Sequence, residues 1–176
     1  MKYYKIFLLF LLLFSSILIN ESYSFVLESK DWKDGKIITD KSLEMNAFGC
    51  EGLNRVPEFY WRDVPAGTKS FALTVYDPDA PTGSGFWHWI VYDIPINQNK
   101  LNASSLSLAK QALNDYGQQN FGGFCPPKGT KHRYIATIYA LNVENIDIKQ
   151  DIPAMVRFFI IKNTIEKRTI LSYYFR

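Results

Sequence analysis

The sequence predicts a mainly β protein, an antiparallel β sandwich with a few peripheral helices, and two observations indicate this fold class. The middle of the chain holds three runs that are rich in β-branched and aromatic residues and bounded by Gly, Pro or Asp, namely 70–76, 87–94 and 133–141. Turn-rich segments rather than long helices separate these runs. A doubly wound parallel sheet, in which strands and helices alternate, therefore fits the sequence less well.

Composition points to one domain with a substantial core. The chain has 176 residues, of which 47% are hydrophobic and 21% are charged, and this excludes a disordered chain, a coiled coil and a collagen-like fibre. The net charge is only +3, and the lysines and arginines are not clustered. We therefore expect no nucleic-acid partner and no polybasic binding to a membrane surface.

Residues 1–24 have the features of a secretory signal peptide. Two lysines near the start precede an uncharged apolar stretch of 14 residues, and Ser22 and Ser24 are small residues placed for cleavage. The stretch is shorter than the roughly 20 residues that a membrane-spanning helix needs, so an uncleaved anchor is the alternative. We expect residues 25–176 to form one exported domain, periplasmic or secreted.

Two segments outside the central runs are predicted to be helical. Segment 105–113 is rich in alanine and leucine, and segment 153–167 carries apolar residues at helical spacing. Pro153 suits the first turn of the second helix, and Asp151 is placed to cap it. The final residues, 169–175, return to a β-like composition.

The chain has two cysteines, Cys50 and Cys125. In an oxidising compartment an even number of cysteines suggests a bridge. Two buried free thiols are the alternative, because cysteine packs well as a small hydrophobic residue. The sequence slightly favours the disulfide.

An acidic turn, DPDAP at 77–81, directly follows the first central run. The two prolines fix the backbone and remove donors, so the chain leaves the sheet in a stiff turn that holds Asp77 and Asp79 at the end of the strand. Both carboxylates could instead serve only to cap backbone N–H groups. For Asp79 this structural role is at least as well supported as a functional one.

The two histidines of the chain both lie beside turns that are rich in Gly or Pro. His88 is part of the second central run, where strict alternation places Trp87 and Trp89 on one face and His88 on the other with Ile90. His132 follows the loop GGFCPPKG at 122–129, whose glycines let backbone N–H groups approach a ligand. A histidine in a strand is more often structural than functional, but the shared placement favours a common site.

These motifs together resemble the phosphatidylethanolamine-binding protein family, most closely its bacterial branch of Raf-kinase-inhibitor-like proteins. The resemblance rests on DPDAP at 77–81, GFWHW at 85–89 and GGFCPPKGTKHRY at 122–134, and it extends over nearly all of residues 25–176. It implies a β sandwich with a small pocket for anions such as phosphate or the head group of phosphatidylethanolamine. By matching motifs, the ligand-binding residues of that pocket fall on Asp77, Pro81, His88, Gly117, Gly122, His132 and Tyr134. Phe124 stands where the family's loop usually has a smaller residue, which bears on the width of the pocket.

The resemblance implies an exported, non-catalytic binding protein for a small anionic or zwitterionic ligand such as a phospholipid head group, with a kinase or protease as a possible regulated partner. Membrane association is expected at most through that ligand or an uncleaved signal. The alternative is a hydrolase in which Asp77 and His88 form an acid–base pair, although no Ser or Cys nucleophile has a recognised signature. A third possibility is a protein-interaction module in which the pocket is incidental. No cofactor is expected, and the wide spacing of the histidines and cysteines matches no zinc site.

Overall fold

The computed structural model describes residues 24–176, so the predicted signal peptide lies, except for Ser24, outside the described residues. Two antiparallel sheets form a β sandwich, which confirms the predicted fold class. In chain order the elements are β1 (Val26–Ser29), β2 (Phe59–Arg62), β3 (Ser70–Asp77), β4 (Phe86–Pro95), β5 (Lys100–Leu101), β6 (Lys110–Gln111), β7 (Lys131–Leu141), α1 (Pro153–Lys162) and β8 (Thr164–Phe175). Within the described part of the chain, no helix is long and apolar enough to cross a membrane.

The larger sheet has five strands in the order β6-β4-β3-β7-β8, and the smaller one has three in the order β1-β2-β5. The three central strands of the larger sheet, β4, β3 and β7, are the three predicted runs. Each strand is one or two residues longer than its predicted run at one or both ends. The prediction succeeded here because β3 is buried along almost its whole length, and a strand covered on both faces is rich in apolar, β-branched and aromatic residues.

The predicted helix at 105–113 is wrong. A single 3-10 turn, Leu106–Leu108, is followed by the short strand β6, which pairs with the edge of β4. Alanine and leucine favour a helix locally, but hydrogen bonds to an existing sheet edge outweigh a weak local preference.

The second predicted helix is correct at its start and too long at its end. Pro153 occupies the first turn as expected, but the cap is Ile152 without a side-chain hydrogen bond, and Asp151 instead accepts hydrogen bonds from Tyr92 and Gln119. The helix ends at Lys162, and β8 begins at Thr164 because it pairs with β7 along nearly its whole length.

Two apolar clusters pack on opposite faces of the larger sheet. The first fills the space between the sheets, where Phe59 and Trp61 of β2 meet Phe71 and Val75 of β3. The second lies beneath α1, whose Val156 and Ile160 cover the other face of the sheet. The sandwich core is thus the space between the sheets, and α1 covers the outer face of the larger sheet.

A β-bulge at His88 changes the predicted facing of β4. Val75 of β3 pairs with Trp89 and Tyr76 pairs with Trp87, so His88 is an extra residue without a partner on β3. Trp89 consequently lies in the cluster between the sheets, whereas Trp87 packs against the cluster under α1. The prediction that both tryptophans share one face, opposite His88, is therefore wrong.

Cys50 and Cys125 form a disulfide, with their Cα atoms 5.9 Å apart. The bridge joins two loops that are 75 residues apart in sequence. Arg176 donates hydrogen bonds to the Cys125 sulfur and to the Gly49 carbonyl, so the end of the chain is fastened to the same corner of the molecule.

Candidate functional site

The chemistry-bearing side chains meet at the edge of the larger sheet where β3 ends and β4 and β7 begin. Because both neighbours of β3 are antiparallel to it, Asp77 at its end pairs with Phe86 at the start of β4. On β7, His132 and Tyr134 are two residues apart and so share one face of the strand. The antiparallel order therefore brings residues from three distant segments to one place.

Asp77 is the centre of this cluster. Its Oδ1 accepts the backbone N–H of Asp79 at 2.8 Å, and its Oδ2 lies 2.8 Å from Nδ1 of His132 and 4.0 Å from Nε2 of His88. The exposed fractions of Asp77, His88 and His132 are only 2%, 3% and 6%. A carboxylate that is buried so deeply needs hydrogen-bond donors, and the turn and His132 supply them.

The hydrogen bonds of both imidazoles decide which ring nitrogen is left for a ligand. Nδ1 of His88 lies 2.7 Å from the Gly122 carbonyl, which can only accept, so Nδ1 carries the proton. By the same reasoning, Nδ1 of His132 donates to the Asp77 carboxylate. In their neutral forms both rings therefore have an unprotonated Nε2, and each Nε2 becomes a donor only when the ring takes up a second proton.

Burial lowers the pKa of His88, against the opposing effects of the Gly122 carbonyl and the Asp77 carboxylate. An empty site therefore holds His88 in its neutral form near neutral pH. A ligand that brings negative charge favours protonation of the ring, and binding is then coupled to proton uptake.

Two tyrosine hydroxyls border the same space and remain donors. Burial and the nearby Asp77 carboxylate raise the pKa of Tyr134, and the same two causes raise the pKa of Tyr116 to about 12. Both hydroxyls are therefore protonated at physiological pH. The Tyr116 hydroxyl donates to the Gly123 carbonyl at 3.4 Å, and it can donate to an anion only by giving up that long hydrogen bond.

These groups surround a cavity of about 620 Å³, a size typical of small-molecule sites. Aromatic and proline side chains form most of its mouth, and the polar groups converge at its floor. Its lining residues are Phe48, Asp77, Ala80, Pro81, Thr82, Phe86, His88, Asp115, Tyr116, Cys125, Pro126, Pro127, His132 and Tyr134.

Five of the seven residues predicted for the pocket line this cavity: Asp77, Pro81, His88, His132 and Tyr134. Gly122 is buried behind His88, where its N–H donates to the His88 carbonyl and its own carbonyl accepts from the ring. Gly117 is exposed in a turn outside the lining. A direct ligand contact by any of the seven residues stays a prediction.

Sequence reasoning missed the aromatic wall of the cavity. Tyr116 contacts Phe86 and Phe48, with ring centroids 4.5 and 5.9 Å apart, and Phe48 is 75% exposed at the rim. The disulfide holds the loop that carries Phe48 beside Cys125. The one local signal for this wall was the turn-forming sequence NDYG at 114–117, which does not by itself indicate a pocket.

Asp79 and Phe124 have structural surroundings. Asp79 accepts two hydrogen bonds from the Arg133 guanidinium and one from the Arg133 backbone N–H, and this pairing lowers its pKa. Phe124 is fully buried in the cluster between the sheets and packs on Tyr134 with ring centroids 4.1 Å apart. Its size therefore supports the cavity floor and does not narrow the opening.

The comparisons with known proteins agree with this architecture. The family model described as phosphatidylethanolamine-binding protein matches residues 28–175. YbcL of Escherichia coli is 40% identical over 164 residues, covering 88% of this chain and 89% of YbcL. YbhB of the same organism is 38% identical over 154 residues, covering 83% of this chain and 97% of YbhB.

Solved structures of similar proteins have the same fold as this chain. The crystal structure of Escherichia coli YbcL, described as a new member of the mammalian PEBP family, has a TM-score of 0.82 over 88% of this chain and 99% of that one. A PEBP homologue from Chlamydia trachomatis, 28% identical, has a TM-score of 0.73 over 87% of this chain and 98% of that one. The match to the family model, the sequence identity and the similar fold show that the chain belongs to the phosphatidylethanolamine-binding protein family, in its bacterial branch.

Proposed function

We propose that the protein is an exported, non-catalytic binding protein whose Asp77 cavity takes a small phosphate-bearing or zwitterionic group, such as a phospholipid head group. One observation carries the proposal: two imidazoles and a carboxylate from three distant segments converge on the floor of one cavity. Each imidazole uses Nδ1 within the protein, which leaves Nε2 for a ligand.

Electrostatics restrict how a phosphate group can bind there. The Asp77 carboxylate repels it, and a neutral imidazole offers Nε2 as an acceptor only. Protonation of His88 or His132 removes both obstacles, because the ring then donates from Nε2 and balances the carboxylate. The tyrosine hydroxyls of Tyr116 and Tyr134 add donors that do not depend on pH in the physiological range.

A zwitterionic ligand needs less protonation of the histidines, because its own positive group can balance the Asp77 carboxylate. In phosphoethanolamine the ammonium group can approach Asp77 while the phosphate faces the histidines. Both forms of binding should weaken as the pH rises, since a histidine ring donates to the ligand from Nε2 only when it is protonated.

The surroundings of Asp77 and Cys125 favour binding over catalysis. Cys125 is the lining residue with a sulfur atom, and its sulfur is part of the disulfide, so it is not a nucleophile in this state. The predicted acid–base pair of Asp77 and His88 is not hydrogen-bonded, since Asp77 Oδ2 lies 4.0 Å from Nε2 of His88; the geometry of a general base belongs instead to Asp77 with His132, at 2.8 Å. Hydrolysis is therefore the alternative that the experiment must exclude.

The proposal includes regulation of a protein partner such as a kinase or protease. The exposed Phe48 beside the cavity mouth supports it, because an aromatic side chain at a rim is a common anchor for a partner. In that arrangement an occupied cavity and a bound partner would share one surface.

The test is calorimetric titration of inorganic phosphate and O-phosphoethanolamine into residues 25–176, at about pH 5 and about pH 8, where histidine changes charge. We expect one site with tighter binding at the lower pH. Replacement of His88 or His132 by Gln should weaken binding about tenfold or more, because a charge-assisted hydrogen bond is lost. Asp79→Asn, beside the cavity but outside its lining, is the matched control and should leave affinity unchanged.

Affinity that stays constant over this pH range would contradict the proposal. Turnover of a phosphate ester that is lost in His132→Gln would show that the cavity is a hydrolase site and would contradict the proposal of a non-catalytic binding protein. Thermal unfolding of each variant separates a lost site from a lost fold. N-terminal sequencing of the protein from the periplasm or medium tests export and cleavage near Ser24.

A further inference from the structure

A second cavity, of about 580 Å³, lies on the helix side of the larger sheet, away from the Asp77 site. One wall is α1, and the facing wall is the connection between β7 and α1. No residue lines both cavities. The second cavity therefore takes no part in the function proposed above.

The floor of this second cavity is apolar. Val143, Ile148 and Phe159 line it and pack against the apolar cluster beneath α1. Met155, Phe159 and Lys162 are spaced four and three residues apart, so one stripe of the helix faces the cavity while Val156 and Ile160 face the sheet. An apolar chain in this space would extend the existing core, and the flexible Met155 can adapt to its shape.

The rim carries two lysines from opposite walls, Lys149 from the loop and Lys162 from the helix. Within residues 24–176, no carboxylate lies within 4.0 Å of either ammonium group. Asp147 is the one acidic residue in the lining, so the ionisable side chains of the cavity sum to a single positive charge. Lys162 also suits the C-terminal end of a helix dipole, but that does not account for Lys149 on the facing wall.

We propose that this cavity binds an anionic amphiphile, a molecule with an aliphatic chain and one carboxylate of the fatty-acid type. The chain lies on Val143, Ile148 and Phe159, and the carboxylate is held by Lys149 and Lys162. Neither lysine has a carboxylate partner among the described residues, although the Lys162 ammonium group lies 5.8 Å from the centre of the Phe159 ring. Two such cations beside an apolar floor are complementary to a carboxylate on an aliphatic chain and not to a neutral or cationic lipid. The volume is within the range of about 300–1,000 Å³ that is usual for small-ligand sites.

The test is titration of dodecanoate, below its micellar concentration, into residues 25–176, followed by calorimetry. We expect one dodecanoate per chain. Dodecyltrimethylammonium, which has a chain of the same length and the opposite charge, should bind at least about tenfold more weakly than dodecanoate. Dodecanoate should also bind at least about tenfold more weakly to the double variant Lys149→Met/Lys162→Met than to the unaltered protein. Met155→Glu places a carboxylate at a partly exposed position on the wall, and it should weaken the binding of dodecanoate by charge repulsion.

Three controls make the assignment specific. Lys36→Met removes an exposed lysine elsewhere, Ile161→Ser removes an exposed apolar side chain of α1 outside the lining, and His88→Gln alters the other cavity. All three should bind dodecanoate as the unaltered protein does. The proposal is overturned by equal binding of the cationic surfactant, by undiminished binding to the lysine double variant, or by loss of binding in His88→Gln. Formation of a dimer through α1 in place of dodecanoate binding would overturn it as well. Failure of phosphate to bind at the Asp77 site would leave these outcomes unaffected.

Discussion

The Cys50–Cys125 disulfide should contribute a large share of the stability of the domain. It joins residues 75 apart, and in the chain-entropy treatment closing a loop of this length lowers the entropy of the unfolded chain by about 15 cal/mol/K. This corresponds to about 4.5 kcal/mol at 25 °C, against a total unfolding free energy of roughly 5–15 kcal/mol for a typical domain. Replacing both cysteines by serine should therefore lower the unfolding temperature by roughly 10–15 °C.

The assay is urea unfolding of the oxidised protein and of the double variant Cys50→Ser/Cys125→Ser, followed by circular dichroism and tryptophan fluorescence. The oxidised protein treated with a reductant should match the variant, and the variant should not respond to the reductant. Intact mass before and after reduction verifies the bridge. A loss of unfolding free energy below about 1 kcal/mol would refute the reasoning, because the entropic contribution depends only on loop length.

Four further predictions concern the cavity and its surroundings. Gly122→Ala should cost about 1–3 kcal/mol and weaken phosphate binding, since the new Cβ would lie 2.4 Å from Cδ2 of Tyr116 at the cavity wall. Gly117→Ala, at a φ of 77° with no atom within 4 Å of the new Cβ, should lower stability by about 1 kcal/mol by strain alone and leave binding unchanged. Because burial lowers the pKa of His88 below the usual 6.5, the unfolded chain binds an extra proton below that pH, and stability should fall there. The slope of the unfolding free energy against pH should be smaller in His88→Gln by up to about 1.4 kcal/mol per pH unit. Urea unfolding between about pH 4.5 and 7 measures this slope. Asp79→Asn should cost no more than about 1 kcal/mol, and the loss should shrink in salt, because its ion pair with Arg133 lies at the surface.

The local sequence predicted secondary structure correctly where a segment is deeply buried and rich in β-forming residues. The three central strands were predicted because their residues are buried and strongly β-forming. The segment at 105–113 failed because its composition suits a helix while its backbone groups pair with β4. The helix starting at Pro153 was extended too far because the pairing of β8 with β7 is not visible in the residues of β8 alone.

The residues of the candidate site were likewise predicted only in part. Five of the seven pocket residues that the family resemblance implied line the cavity, and all five lie in the acidic turn or in the first few residues of β4 or β7. Strict alternation placed His88 correctly on a strand but misjudged which residues share its face, because the bulge adds one residue between two pairs of the ladder. The aromatic wall around Tyr116 was missed, because Phe48, Phe86 and Tyr116 come from three segments of the chain that only the fold brings together.

By itself the sequence determined the β class, the positions of the central strands, and the placing of an acidic turn and both histidines beside turns. These features follow from residue type and short-range periodicity. Only the tertiary structure decided the strand order, the bulge at His88, the meeting of Cys50 with Cys125 and the existence of the lysine-rimmed cavity beside α1. Each of these depends on contacts between different segments of the chain, and the residue pattern of one segment does not show which other segment it meets or where a bulge shifts the pairing.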